Sequence, residues 1–278
     1  MRITCVVDDE AMPGSGLLAE HGISFFIASG GQGVLFDTGS TSRVLLANLA
    51  RLEIGVEQID ALVISHAHYD HTGGLAGLLE LRSGIPLYAH PDLFRERYAR
   101  TASGVEKIGP VVGRVALEKR VSLHLTAEPV EVAPGVWTSG EIAERTEIEG
   151  RSARHVIRQG EDWVPDPYGD DLAVVLKTVE GLALICGCCH AGLLNTLHQV
   201  RHAFGAQPAT IVGGTHLKDT AGADLDRVVE VLGQGGPPDL WLGHCTGRKA
   251  FRTLQAAFGE RVRPCQAGTV MELPPPAP

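Results

Sequence analysis

The apolar run Ala61-Leu62-Val63-Ile64 ends directly in SHAHYDHTGG, residues 65 to 74, and no other stretch limits the fold as much. The run reads as a buried strand, because aliphatic and β-branched residues without helical spacing suit a strand covered on both faces. His66, His68, Asp70 and His71 then fall on the loop that leaves it, ahead of a helix over GGLAGLLEL, 73 to 81. Two residues apart on an extended loop, His66 and His68 point to one side, whereas Asp70 and the adjacent His71 diverge. The economical reading is two neighbouring metal sites, one using His66 and His68 and the other Asp70 and His71, each needing a ligand from elsewhere. His190 in GCCHAG and His244 in GHCTG are the candidate donors. The alternative, a polar turn whose histidines cap the helix at Gly73, accounts for one histidine and not three.

The rest of the chain repeats this strand, loop and helix pattern. RITCVVDD (2 to 9), ISFFIAS (23 to 29) and GQGVLFDTG (31 to 39) read as strands, and SRVLLANLARLEI (42 to 54) as a helix behind a Ser/Thr cap. IPLYAH, RVSLHL and GVWTS are further strands, with the charged run DLFRERYAR between them read as helical. From 141 to 170 the pattern fades into charge, Gly and Pro, which predicts a lid-like loop. DLAVVLKTV and GLALICGC form a hairpin across Glu180-Gly181. Strands at ATIVGGTH and DLWLGHCTG alternate with helices from about Gly192, over 223 to 232 and over 248 to 258. The expectation is one domain over 1 to 273, with 274 to 278 a disordered tail. Its class is α/β, a four-layer αββα sandwich of two mixed sheets with outer helices, whose histidine-bearing turns meet along one edge.

Composition narrows the partners. With 33 acidic against 24 basic residues the net charge is −9, which repels nucleic acid and leaves room only for a local basic patch. No apolar stretch is long enough to span a bilayer, and Asp8-Asp9-Glu10 interrupts any signal-peptide core, so a cytoplasmic location is expected. The six cysteines match neither a disulfide framework nor a C-x-x-C knuckle, which predicts reduced thiols. Cys189 and Cys245 adjoin proposed ligands, so each either coordinates a soft metal or packs as a small apolar residue.

H-x-H-x-D-H followed by Gly-Gly-Leu resembles the hallmark of the metallo-β-lactamase superfamily. Within it, EHGIS (20 to 24), LFDTG (35 to 39), SHAHYDHTGGL (65 to 75), GCCHAGLLNT (187 to 196), GGTHL (213 to 217) and GHCTG (243 to 247) are similar to the dihydropterin ribofuranosylaminobenzene-phosphate synthase group. The resemblance implies the αββα fold with its site at one edge of the sheets. Imidazole with one carboxylate implies one or two divalent metal ions, zinc foremost, with manganese or iron as alternatives. The chain departs from the superfamily where a bridging aspartate is usual: GLALIC runs into Gly187-Cys188-Cys189-His190, and Asp170 or Asp171 stands where a histidine motif is expected.

Roles follow for single residues. Asp70 is both a ligand and the group that orients hydroxide. His216 is the candidate leaving-group acid or phosphate contact, with orienting a ligand or capping a turn as alternatives. His21 is a substrate contact through its place in the branch motif. Arg145, with Arg151, Arg154 and Arg158, either receives a phosphate or carboxylate or belongs to a solvated loop. His124, His155, His198 and His202 lack a supporting cluster. The first functional reading is a metal-dependent hydrolase of a small ester, lactone or phosphodiester. A pterin-type synthase displacing diphosphate, and a non-catalytic metal-dependent binder of small molecules, are the alternatives. A small anionic substrate is expected in each case, and a homo-oligomer stays open.

Overall fold

Alternation along the strands decides which layer each side chain enters. Ile23, Phe25 and Ile27 point into one buried cluster together with Val34 and Phe36, while the intervening Phe26 and Leu35 point into another. Val174, Leu176, Ala183 and Ile185 alternate likewise with Val175, Leu182 and Leu184. The structure, a computed structural model, describes residues 1–276. It contains two seven-stranded sheets stacked face to face across the first cluster. The first sheet runs Val270–Glu272, Arg2–Val7, Ser24–Ser29, Gln32–Phe36, Ala61–Val63, Pro86–Ala89, Ser122–Leu125. The second runs Val262–Pro264, Asp239–Leu242, Pro208–Gly213, Gly181–Cys186, Ala173–Thr178, Val136–Thr138, Glu131–Ala133.

Helices close the outer faces. The helix Ser42–Arg51, capped by the Thr41 side chain on the Val44 N–H, buries Val44, Leu45 and Leu49 against the first sheet. The helices Leu193–Phe204, Ala223–Gly233 and Arg248–Phe258 cover the second through Leu197, Val228 and Leu254. This is the four-layer αββα sandwich.

Both sheets are mixed, and their parallel strands position the site. Gln32–Phe36, Ala61–Val63, Pro86–Ala89 and Ser122–Leu125 pair in parallel in the first sheet. Gly181–Cys186, Pro208–Gly213, Asp239–Leu242 and Val262–Pro264 do so in the second. Parallel strands end at the same edge, so the loops beginning at Asp37, Ser65, Gly187, Gly214 and Gly243 gather there.

Three stretches differ from the sequence reading. DLFRERYAR is not a helix: Pro91–Phe94 makes a short 3-10 turn, and Arg97–Thr101 is a strand. Residues 141–170 are not wholly loop, since His155–Gln159 and Asp162–Pro165 form a hairpin paired with Arg97–Thr101 and Gly104–Lys107 in a small third sheet. The physical cause is a fully buried Arg97. Its Nη2 donates to Asp170 Oδ1 at 2.6 Å, and its Nε lies 2.9 Å from Asp166 Oδ2 in a charge contact that is poorly aligned for a hydrogen bond. A local pattern cannot show that this charge is neutralised from 73 residues away. The tail differs as well: the Val179 N–H donates to Pro275 O at 3.1 Å, the Met1 ammonium donates to Pro274 O at 3.3 Å, and Pro276 bridges Thr178. Residues 277 and 278 lie outside the described residues. Among the described residues no helix is long and apolar enough to cross a membrane.

Replacing Arg97 leaves two buried carboxylates facing each other without a cation. Arg97→Ala should therefore lower the unfolding free energy by about 3–5 kcal/mol in a urea titration. A loss below about 1 kcal/mol, the range of a solvated surface pair, would contradict the buried network.

Candidate metal centre

The strand Ala61–Val63 delivers Ser65 to Asp70 to the shared edge, where the Ala67 N–H donates to Asp170 Oδ2 at 2.8 Å. That bond fixes the backbone midway between His66 and His68, placing His66 Nε2 and His68 Nδ1 3.0 Å apart. The His190 ring centroid lies 4.9 Å from that of His66 and 5.0 Å from that of His68. Each of these three residues offers a nitrogen within 4.8 Å of the other two. Asp70, His71 and His244 form a second set, with His71 Nε2 3.6 Å and His244 Nε2 3.5 Å from Asp70 Oδ2. The six residues named from the sequence thus come together as two neighbouring triads.

The far nitrogens are held. His71 Nδ1 lies 2.6 Å from Asp37 Oδ2, which also accepts from the Ser65 hydroxyl at 2.7 Å, and that hydroxyl lies 2.9 Å from His66 Nδ1. His190 Nδ1 meets the Gly150 carbonyl at 2.8 Å, and His244 Nδ1 meets Asp9 Oδ1 at 2.6 Å. Each Nε2 is left facing inward. His190 Nε2 and His244 Nε2 are buried without a hydrogen-bond partner, a cost that a coordinated ion removes.

Electrostatics separate the two triads. Burial, then the neighbouring imidazoles, holds His66 and His190 well below the usual histidine range, and burial does the same to His68. These are neutral rings with lone pairs free for a cation. Burial also pushes His71 down, but Asp37 and Asp70 outweigh it and hold His71 above its ordinary value. For His244, burial is outweighed by Cys245, Asp70 and Asp9, which hold it well above. Burial pushes Asp70 up, yet His71 and His244 hold it well below the carboxylate range. Three imidazoles in one set, and two with a carboxylate in the other, fit a divalent ion such as zinc.

Backbone strain concentrates at the same edge. Asp37, Cys189, His216 and His244 have φ of 56°, 56°, 45° and 45°, in the left-handed region that non-glycine residues rarely occupy. Gly187 allows the closest approach between the sheets, since a Cβ there would sit 2.4 Å from Ser65 Oγ and 2.9 Å from Asp37 Oδ2.

The remaining residues singled out in the sequence divide. Asp170 and Asp171 are not in either triad. Asp170 holds the Ala67 N–H and Asp171 Oδ2 holds the Ala191 N–H at 2.6 Å, so consecutive carboxylates brace the two loops that carry the first set. Cys188 Sγ lies 3.4 Å from His71 Nε2 and groups with His66 and His71, between the triads. Cys245 accepts the His216 N–H, and Cys189 packs in the outer core of the second sheet. The His216 ring lies 4.3 Å from that of His190, while His21 Nε2 lies 3.3 Å from Asp70 Oδ2.

Arg145 does not face the site. Its guanidinium donates to Ile142 O, Pro167 O, Tyr168 O and Glu149 Oε2, which commits four of its five N–H groups to stapling the 141–150 segment and corrects its reading as a substrate contact. Burial, then Lys218 and His244, brings His216 down to about 3, which favours the neutral imidazole. Sequence reasoning gave no role to Asp9 or Asp37, although Asp37 stands in LFDTG. It also passed over His155, whose ring lies 5.1 Å from that of His68, and Tyr168, which stacks on His190 at 4.3 Å and bonds His155 Nδ1 at 2.8 Å. Neither His155 nor Tyr168 carries a local signal, because both sit in the charged segment 147–170.

Known proteins resemble this chain along most of its length. The metallo-beta-lactamase superfamily model matches residues 20–182. The chain is 28% identical to 7,8-dihydropterin-6-methyl-4-(beta-D-ribofuranosyl)-aminobenzene-5'-phosphate synthase of Methanocaldococcus jannaschii, over 98% of this chain and 96% of that protein. An uncharacterized protein of the same organism is 31% identical over 91% of this chain and 93% of its own length. Among solved structures, Tm1679, a metal-dependent hydrolase of the beta-lactamase superfamily, superposes with a TM-score of 0.84 at 26% identity, covering 99% of both chains.

The raised and lowered histidines give the two triads opposite acid sensitivity. As pH falls, protons compete for His71 and His244, while the His66, His68 and His190 rings stay neutral. Zinc on the Asp70 set should therefore dissociate first on acidification from neutral pH. Equilibrium dialysis of His190→Ala and His244→Ala, each retaining one intact triad, checks the order. Equal acid sensitivity in the two variants would contradict it.

Proposed function

Because the chain belongs to the metallo-beta-lactamase superfamily and gathers two ligand triads at one sheet edge, we propose that it is a metal-dependent enzyme hydrolysing a small anionic phosphoester or diphosphate. His66, His68 and His190 would hold one divalent ion and Asp70, His71 and His244 a second. Such ions polarise a phosphoryl oxygen and bring the pKa of water down to about 7.

The observation that carries the anionic substrate is a cavity of ≈ 560 Å³ opening beside His244. Its lining is mixed in charge, with Arg248 and Arg252 beside Thr246, Phe251 and Gln266 and with the acids Asp8, Asp9 and Glu10 also facing it. Arg248 and Arg252 stand four apart, both exposed, in the first turns of the helix Arg248–Phe258, whose N-terminal N–H groups also favour an anion. The His216 ring lies 4.3 Å from that of His190.

A second reading keeps the bond broken and changes the acceptor. Similarity along the full length to the archaeal synthase favours displacement of diphosphate by an aromatic amine, whose proton passes to water. Fold and site leave the choice of acceptor to chemistry outside the centre.

Zinc-loaded protein should release phosphate or diphosphate from a panel of small phosphoesters and diphosphates, and product analysis with and without an aromatic amine separates the two acceptors. The double variant Arg248→Ala/Arg252→Ala should raise KM about tenfold or more at unchanged zinc content, since it removes charge-assisted contacts. No release from any member of the panel, or an unchanged KM, would remove the proposal.

A further inference from the structure

We propose that His155 is a substrate-contacting residue of the centre, presenting its Nε2–H to an oxygen of the anion beside the first triad, with Tyr168 fixing that tautomer. This role rests on the anionic substrate proposed above and deepens it.

Hydrogen bonding decides which ring nitrogen carries the proton. The Ser152 N–H donates to the Tyr168 hydroxyl oxygen at 3.2 Å, and that hydroxyl lies 2.8 Å from His155 Nδ1. A backbone N–H can only donate, so the one phenolic proton goes to His155 Nδ1, which is the lone-pair nitrogen. The reverse tautomer would strand the Tyr168 proton without an acceptor on a residue only 1% exposed. Burial holds His155 below its ordinary value against the pull of Asp166, and Lys218 and Arg154 lower it further, which favours the neutral ring. Protonation would add a proton at Nδ1 and leave Nε2–H in place, so the donor does not depend on titration.

The ring is held on several sides. The His155 N–H donates to Ser152 O and the His155 carbonyl accepts from the Asp166 N–H, both at 3.1 Å. The Tyr168 N–H donates to Asp166 Oδ1 at 2.9 Å, and the Tyr168 ring stacks on His190 at 4.3 Å with 12° between the planes. The His155 ring thereby stands 5.1 Å from that of His68 and 6.3 Å from that of His190, edge to face with both. It belongs to neither ligand triad. Its Nε2 makes no hydrogen bond among the described residues, and the residue is only partly buried. An unpartnered N–H fixed beside a cation site stabilises negative charge on a substrate oxygen without giving up its proton.

The test is calorimetric binding of inorganic phosphate to the zinc-loaded full chain carrying His155→Gln or His155→Met. The two side chains are of similar size, and only the glutamine amide can donate where Nε2–H does. Zinc content should equal that of wild type in both. His155→Gln should bind phosphate within about threefold of wild type and His155→Met about tenfold or more weakly, the loss expected for a hydrogen bond to a charged group. Nitrogen-15 spectra of histidine-labelled wild type should show His155 protonated at Nε2 and not at Nδ1. Equal phosphate affinity in the two variants, loss of zinc in either, or the reverse tautomer would overturn the role of His155 and leave the anionic substrate standing. Wild type that binds phosphate no better with zinc than without it would overturn both.

Discussion

An imidazole holds an ion in place only when its other nitrogen is held, and here the holding groups come from all over the chain. Asp37 is 34 residues from His71, Gly150 is 40 from His190, and Asp9 is 235 from His244. The backbone braces are as distant, with Asp170 103 residues from Ala67. No local segment can therefore build the centre. It exists only once both sheets have stacked across Ile23, Phe25, Val174 and Ile185 and brought their strand ends to one edge. A cation bound there stabilises that closed state and nothing less, so metal affinity and folding are linked.

The same edge carries most of the left-handed non-glycine backbone in the described residues. Asp37, Cys189, His216 and His244 sit in the left-handed region, each costing on the order of 1 kcal/mol or more, and they flank the ligands or are among them. The apolar layers offset this: the strands beneath are buried on both faces, and their helices fill the outside. A scaffold of this kind tolerates strain where strands end, because a residue aimed across the edge needs a turn sharper than extended chain allows. That places reactive side chains on rigid supports, and the function follows from their rigidity.

How much of this was legible depends on the range of the interaction. The spacing of His66, His68, Asp70 and His71 is local, so their division into two sites can be read from sequence, and strand periodicity carries the four layers. His190 and His244 stand out because each follows an apolar strand. What could not be read is long-range charge pairing. Arg97 sits in a run of charges that looks like a solvated helix, yet it is buried between Asp166 and Asp170. Arg145 looks free for a substrate until Pro167 and Tyr168 present it with carbonyls. Asp9 resembles one more surface acid in Asp8-Asp9-Glu10, and only the fold brings it beneath two imidazoles. The tail fails for a related reason: prolines lack N–H groups, but their carbonyls still accept, and Val179 donates to one.

The stapled segment also settles how the centre can be approached. A lid over 141–150 would have to swing away, and this segment is tied down by the four-way engagement of Arg145, by Asn195 on both Glu147 backbone groups, and by Arg227 on the Glu147 carboxylate. Its Gly150 carbonyl is the group that orients His190. Opening the segment would free the His190 ring and disassemble the triad that the opening was meant to expose, so lid motion and metal retention exclude each other. Solvent reaches the other triad instead, where His21 and Tyr69 are exposed and a cavity lined by arginines and acids adjoins His244.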